Sequence, residues 1–168
     1  TVVASNGVGQ ADASTVVTVY EVIIGTPGAT VTTSDDVLTM TWSPGMSGTM
    51  VITYTPQVTS GNLPGELQIA GLVFSLEAVD QYGNPITVLS PHITLEVHYD
   101  EAALPAGVDE ADLVLYRYDL TLGWVAPTQL LDTEANTITV FLDHLSEFAL
   151  LAPVRTGSSV YLPLLMRQ

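Results

Sequence analysis

Apolar and polar residues alternate along most of this chain, which is the period of a half-buried strand. Residues 49–55 place Met50, Ile52 and Tyr54 on one face. Residues 92–99 turn Ile93, Leu95, Val97 and Tyr99 inward and leave His92, Thr94, Glu96 and His98 outside. Residues 137–142 bury Ile138, Val140 and Leu142. The same period runs through 14–24, 37–42, 69–79, 112–118 and 147–151. Helical spacing is scarce, and only 109–112 could start a single turn.

Turn residues punctuate the strands. Ser43-Pro44-Gly45, Ser60-Gly61-Asn62, Tyr82-Gly83-Asn84-Pro85 and Pro105-Ala106-Gly107 each end an alternating run. About ten short antiparallel strands at this spacing predict an all-β, Ig-like sandwich. Three zones follow. Residues 1–24 form a leading hairpin or strand segment around Asn6-Gly7-Val8-Gly9. Residues 25–153 form the sandwich. Residues 154–168 are a linker and one apolar strand, Tyr161 to Met166, interrupted by Pro163. No internal repeat is present.

Composition narrows the function classes. The chain has 168 residues, 47% of them hydrophobic, which is ample for a core. No apolar run is long enough for a membrane-spanning helix. The first residues carry neither a basic nor an apolar leader region, so an earlier-removed leader or a longer parent chain is expected. Eighteen acidic residues face three arginines and no lysine, for a net charge of −15. That balance argues against nucleic acid and anionic membranes as partners. Without lysine there is no Lys–Asn isopeptide bond, and without cysteine no disulfide or thiolate metal site. The whole fits an extracellular, bacterial cell-surface protein.

Several segments resemble known surface modules. Val2-Val3-Ala4-Ser5-Asn6-Gly7-Val8-Gly9 with Ser14-Thr15-Val16-Val17-Thr18-Val19 resembles the last strands of a PKD- or Ig-like repeat. From Gly71-Leu72-Val73-Phe74 through Thr94-Leu95-Glu96-Val97, Leu113-Val114-Leu115-Tyr116, Gly123-Trp124-Val125 and His144-Leu145-Ser146-Glu147-Phe148, the chain resembles bacterial relatives of ZU-five/UPA and GAIN-type sandwiches. The run Tyr161-Leu162-Pro163-Leu164-Leu165-Met166-Arg167 looks like the ending of secreted proteins from Chloroflexi-like bacteria. The GAIN resemblance implies a self-cleaving tripeptide. Ser146 would be the nucleophile, His144 the general base, and the Leu145–Ser146 bond the target of an N-to-O acyl shift. The paired cysteines that brace that motif in animals are absent here. Read from its own residues, the tripeptide more simply satisfies backbone groups at a strand entrance.

Other chemistry is thin. His92 and His98 lie six residues apart, on the order of 20 Å along a strand, too far to share one ion. His98 and Glu96 give half a site. Asp132, Glu134 and Asn136 are the leading oxygen donors for a calcium ion, with Asp35-Asp36, Asp80/Asn84 and Asp109-Glu110-Asp112 as further acidic turns; none has EF-hand spacing. No hydrolase elbow, zinc-binding helix or phosphate loop is present. Trp42, Trp124, Tyr116 and Tyr118 alternate with apolar residues and read as core. No enzyme activity and no cofactor beyond such a calcium is expected.

The ends then carry the functional reading. An isolated hairpin is marginal in water, and an unpaired apolar strand needs a partner. Val16, Val17 and Val19 at one end, and Tyr161, Leu162, Leu164 and Leu165 at the other, are the candidate assembly residues. Strand donation between copies, applied head to tail, builds an open filament or layer. Pro163 favours the leading segment as donor, with the trailing strand docked on its own domain. The alternative is an adhesive module of a large surface protein, binding calcium, a glycan or another surface protein.

Overall fold

A computed structural model describes residues 17–25, 27–45, 48–57 and 63–154. It contains eleven strands: β1 (Thr18–Ile24), β2 (Ala29–Thr32), β3 (Leu38–Trp42), β4 (Gly48–Gln57), β5 (Leu67–Asp80), β6 (Ile93–His98), β7 (Val114–Asp119), β8 (Gly123–Val125), β9 (Gln129–Asp132), β10 (Thr137–Leu142) and β11 (Glu147–Pro153). They form two antiparallel sheets. One has six strands in the order β1-β4-β5-β11-β7-β8; the other has five, in the order β2-β3-β6-β10-β9. Two short 3₁₀ turns, Glu101–Ala103 and Glu110–Asp112, are capped by Asp100 and Asp109, whose carboxylates accept from Ala102 and Ala111 N–H.

The sheets face each other across one core, as alternation requires of a β-sandwich. From one side come Ile52, Phe74, Leu115, Phe148 and Leu150; from the other, Leu38, Met40, Trp42, Leu95 and Val140. Phe74 and Phe148 stack at 5.2 Å in its centre. The expected strands 49–55, 69–79 and 147–151 lengthen to Gly48–Gln57, Leu67–Asp80 and Glu147–Pro153, whereas those expected at 37–42, 92–99 and 112–118 begin one or two residues later. The short strands β2, β8 and β9 do not stand out in the sequence, because three or four residues hold too little alternation to register.

Thr18–Ile24, which the sequence groups with the leading segment, pairs along its whole length with β4, from Thr18↔Tyr54 to Ile24↔Gly48. Val22 and Ile24 enter the common core, and that burial holds the strand in the sandwich. Gly28 lies in the turn that follows, with φ of 93° and no room for a Cβ beside the Trp42 carbonyl.

A second apolar cluster lies outside the sandwich. Val73, Ala149 and Leu151 point to the outer face of the six-stranded sheet, yet are buried against Leu63, Leu67, Ile69, Tyr116 and Trp124. Both faces of β11 are therefore covered, and Phe148 to Ala152 are all buried. The pairing of β11 with β5 is irregular here: Ala149 opposes Val73 but Leu151 opposes Ile69. The extra residues on β5 form a bulge around Gly71, whose φ of 122° suits glycine.

Candidate functional site

Four strands stand at sheet edges among the described residues. β8 has three residues, β2 and β9 four each, and β1 has seven. Among the described residues β1 pairs on one side only, with β4. Its outward residues are Val19, Glu21 and Ile23. Val19 is 55% exposed and Ile23 73%. A long edge with two exposed apolar side chains, no proline and a single charge, Glu21, is only partly protected against pairing with another chain.

Two strands inward on the same face lies a groove of about 820 Å³. It opens where β11 begins only at Glu147 while β5 runs on to Asp80. Glu77 and Val79 of β5 form one wall, with Ile86 beside them. Tyr118 and Leu120, at the β7–β8 turn, form the other, and residues 144–147 cross the floor. Leu120 is 96% exposed. Desolvation raises the pKa of the Glu147 carboxyl. Asp119 is held below its usual range by the Leu122 and Thr121 N–H groups, which donate to its Oδ1 at 2.9 and 2.7 Å.

Beneath the groove, the loop from β10 to β11 closes one end of the sandwich. Arg117 occupies an inward position of β7, opposite Phe148, with a side chain only 15% exposed. Its Nη1 donates to Asp143 Oδ1 at 3.1 Å. His144 Nδ1 lies 2.6 Å from the same carboxylate oxygen and 2.6 Å from the guanidinium. One ring nitrogen cannot donate to the carboxylate and accept from arginine at once, so only one of the two contacts is a hydrogen bond to Nδ1. Burial pushes the Asp143 carboxyl up, but the His144 hydrogen bond and charge, with Arg117, hold it below its usual range. Arg117 Nε has no hydrogen-bond partner. Sequence reading missed Arg117 and Asp143. The available signal was a cation at an inward position of the alternating run 114–118.

The tripeptide for which the resemblance implies self-cleavage makes other hydrogen bonds among the described residues. Ser146 Oγ donates to the Tyr118 carbonyl at 2.6 Å, and the Ser146 carbonyl accepts from Leu76 N–H at 2.9 Å. His144 faces Asp143 and Arg117, and no hydrogen bond joins His144 to Ser146 among the described residues. The hydroxyl and carbonyl of Ser146 thus tie the loop to two strands that no longer have β11 between them.

The calcium candidates make turn and anchor hydrogen bonds. Asp132 Oδ1 accepts from Glu134 and Ala135 N–H, both at 3.0 Å, closing the β9–β10 turn. Asn136 has φ of 54°; with its amide oriented to satisfy both neighbours, its nitrogen donates to Glu110 Oε1 at 3.0 Å, which also accepts from the Tyr99 hydroxyl at 2.6 Å. These oxygens serve the turn and the Tyr99 anchor. Among the described residues no three His, Asp or Glu side chains gather as a metal site. Asp80 caps its own turn through Tyr82 and Asn84 N–H. His98 and Glu96 pair at 3.0 Å on the outer face of the five-stranded sheet.

Of the assembly residues, Val19 lies on the open edge of β1. Val17 immediately precedes that strand. Val16, Tyr161, Leu162, Leu164 and Leu165 lie outside the described residues. Among the described residues no helix is long and apolar enough to cross a membrane. No protein-family model matches the chain, and no curated protein matches it.

Proposed function

We propose that this chain is a structural, non-catalytic subunit of an extracellular filament or cell-surface layer, joined to its neighbours by β-strand addition. The observation that carries the reading is the open edge of β1, seven residues long with Val19 and Ile23 exposed. A strand from the next copy would complete the backbone hydrogen bonds of that edge and cover both side chains. Because Thr18–Ile24 is held in its own sheet, it acts as the acceptor. The residues ahead of it, Val16 included, supply the donor. Donor and acceptor are different surfaces, so the contact repeats without closing.

Negative-stain electron microscopy with light scattering tests this. The expected result is filaments or sheets of constant subunit spacing. The double substitution Val19→Lys and Ile23→Lys should abolish them while leaving the far-ultraviolet circular dichroism unchanged. A monodisperse monomer of the unaltered chain at high concentration would sink the proposal and move the assignment to an adhesive module.

A further inference from the structure

Glu21 stands at the middle of the open edge of β1. The strand runs Thr18–Ile24, and its outer face carries Val19, Glu21 and Ile23, all exposed. Toward the sheet these three meet Thr53, Val51 and Thr49 of β4. One strand farther in, Glu77 stands beside Thr53 and Val79 beside Val51. The ion pairs among the described residues join His98 to Glu96 and both Arg117 and His144 to Asp143, and none reaches Glu21 or Glu77. This part of the face is apolar and hydroxyl-bearing, with negative charge as its only charge.

Symmetry gives the position of Glu21 its weight. The commonest way for an edge strand to meet a second copy of itself is antiparallel, about a two-fold axis. The two sheets then join with matched faces only if outward residues oppose outward residues. The register that uses all seven residues of β1 sets Thr18 against Ile24 of the second copy and Tyr20 against Val22. On the outer face it sets Val19 against Ile23, twice over. The apolar residues of both faces therefore favour this register. Its centre sets Glu21 against Glu21, with Cβ atoms about 5 Å apart. Sliding by two residues in either direction keeps the faces matched, shortens the ladder by two residue pairs, and lays each Glu21 against Val19 or Ile23 of the other copy. Every face-matched register thus opposes two carboxylates directly or sets a carboxylate against an aliphatic side chain.

We propose that Glu21 selects the partner of this edge: it disfavours the β1 of a second copy and admits a strand with a neutral or cationic residue at the position it faces. Like charges directly opposite on one sheet face destabilise the pairing, and like-charge contact at an interface rejects wrong partners. Glu21 thereby works against the closed dimer that Val19 and Ile23 would otherwise form, and leaves the edge to a different strand. The first eleven residues of the chain carry no charged side chain, which meets the requirement for such a donor. The inference deepens the strand-addition reading and rests on it only in taking the β1 edge as a pairing site.

The test compares three full chains: unaltered, Glu21→Gln and Glu21→Lys, each checked for unchanged circular dichroism. Sedimentation velocity, at concentrations below those at which the unaltered chain assembles, measures association. Native mass spectrometry with one chain isotope-labelled identifies heterodimers. Glu21→Gln should dimerise about tenfold more tightly than the unaltered chain. Glu21→Lys alone should gain nothing, because the repulsion only changes sign. An equal mixture of Glu21→Lys and unaltered chain should form heterodimers about tenfold tighter than either chain's own dimer. Adding Ile23→Lys to Glu21→Gln should abolish its dimer, which locates the contact at β1. The proposal is overturned if Glu21→Gln and the mixture associate no more than the unaltered chain. It is also overturned if Glu21→Lys alone dimerises as readily as the mixture, or if the Glu21→Gln dimer survives Ile23→Lys. Filaments of the unaltered chain are scored separately. Their absence sinks strand addition and leaves the mixture result standing, whereas filaments without heterodimers in the mixture sink only the role of Glu21.

Discussion

The two sheets of this sandwich share one core but present opposite outer faces. On the five-stranded sheet the outward positions form rows of polar residues across the strands: Thr30, Thr41 and Thr94 in one, Thr32, Thr39, Glu96 and Thr139 in the next. Thr32 and Thr39 hydroxyls lie 3.1 Å apart, and Glu96 pairs with His98. Only Phe141 and Leu130 break the pattern, at 64% and 69% exposure. On the six-stranded sheet the outward positions hold a buried apolar cluster, an apolar groove and an edge guarded by one charge, Glu21. A face that only meets water needs hydroxyls and charges. A face that buries leucine and leaves isoleucine exposed is built to be covered. The contrast supports the six-stranded side as the surface for the proposed contact.

Introducing charge tests the contrast most strongly. Leu151→Asp puts an unpaired carboxylate into a site with no exposure, although it points away from the main core. The expected loss is about 3–5 kcal/mol, enough to lower the midpoint of thermal unfolding steeply or prevent folding. Thr41→Asp, on the solvated face, should change stability by no more than about 0.5 kcal/mol. Leu151→Ala, which leaves a cavity without adding charge, should cost about 2–5 kcal/mol. If both Leu151 variants unfold like the Thr41 variant, the outer cluster contributes nothing and the contrast fails.

Hydroxyls give a finer comparison. Ser146→Ala removes the bond to the Tyr118 carbonyl, which leaves an acceptor short of its partner where the groove meets the sandwich. About 1 kcal/mol of destabilisation is expected. Thr39→Val removes an exposed hydroxyl pair on the other face and should be nearly neutral. Both variants and the unaltered chain should run as one band near 17.8 kDa on a denaturing gel. A smaller pair of bands from the unaltered chain, absent from Ser146→Ala, would restore self-cleavage.

These sites differ in how far the sequence announces them. Strict alternation in 93–98 and 137–142 reads directly as core-facing strands, because each inward residue meets the same apolar layer. The outer cluster is not legible in that way. Phe148 to Ala152 is an unbroken apolar run, and whether its second face is covered depends on Leu63 and Leu67, which local periodicity does not place there. The groove is illegible for a similar reason. It exists because β11 begins only at Glu147 while β5 runs on past its partner Ser75 to Asp80, a difference of strand length between residues some seventy positions apart in the chain. His144-Leu145-Ser146 shows the opposite failure: a conspicuous motif whose side chains go to Asp143, Arg117 and Tyr118 and not to each other.

The smallest expected effect compares the two histidine–carboxylate pairs. Glu96 and His98 sit on the threonine face with side chains 42% and 43% exposed, and an ion pair in that setting contributes little. Asp143 is also substantially exposed, at 58%, but it has two donors, Arg117 and His144. Its folded pKa lies below the unfolded value of about 3.9. The ionised form is therefore favoured by folding, so the stability this carboxylate adds is fully present above about pH 4 and is lost as pH falls through the folded pKa. Solvent screening keeps the effect to a few tenths of a kcal/mol, roughly. Asp143→Asn should remove it, leaving a shallower loss of thermal midpoint between about pH 4 and pH 2 than in the unaltered chain. Glu96→Gln is the reference for an exposed pair on the other sheet. If Asp143→Asn steepens the acid limb, then Arg117 and His144 do not hold the carboxylate in the folded state, and the closure of the sandwich end rests on Ser146 and the backbone alone.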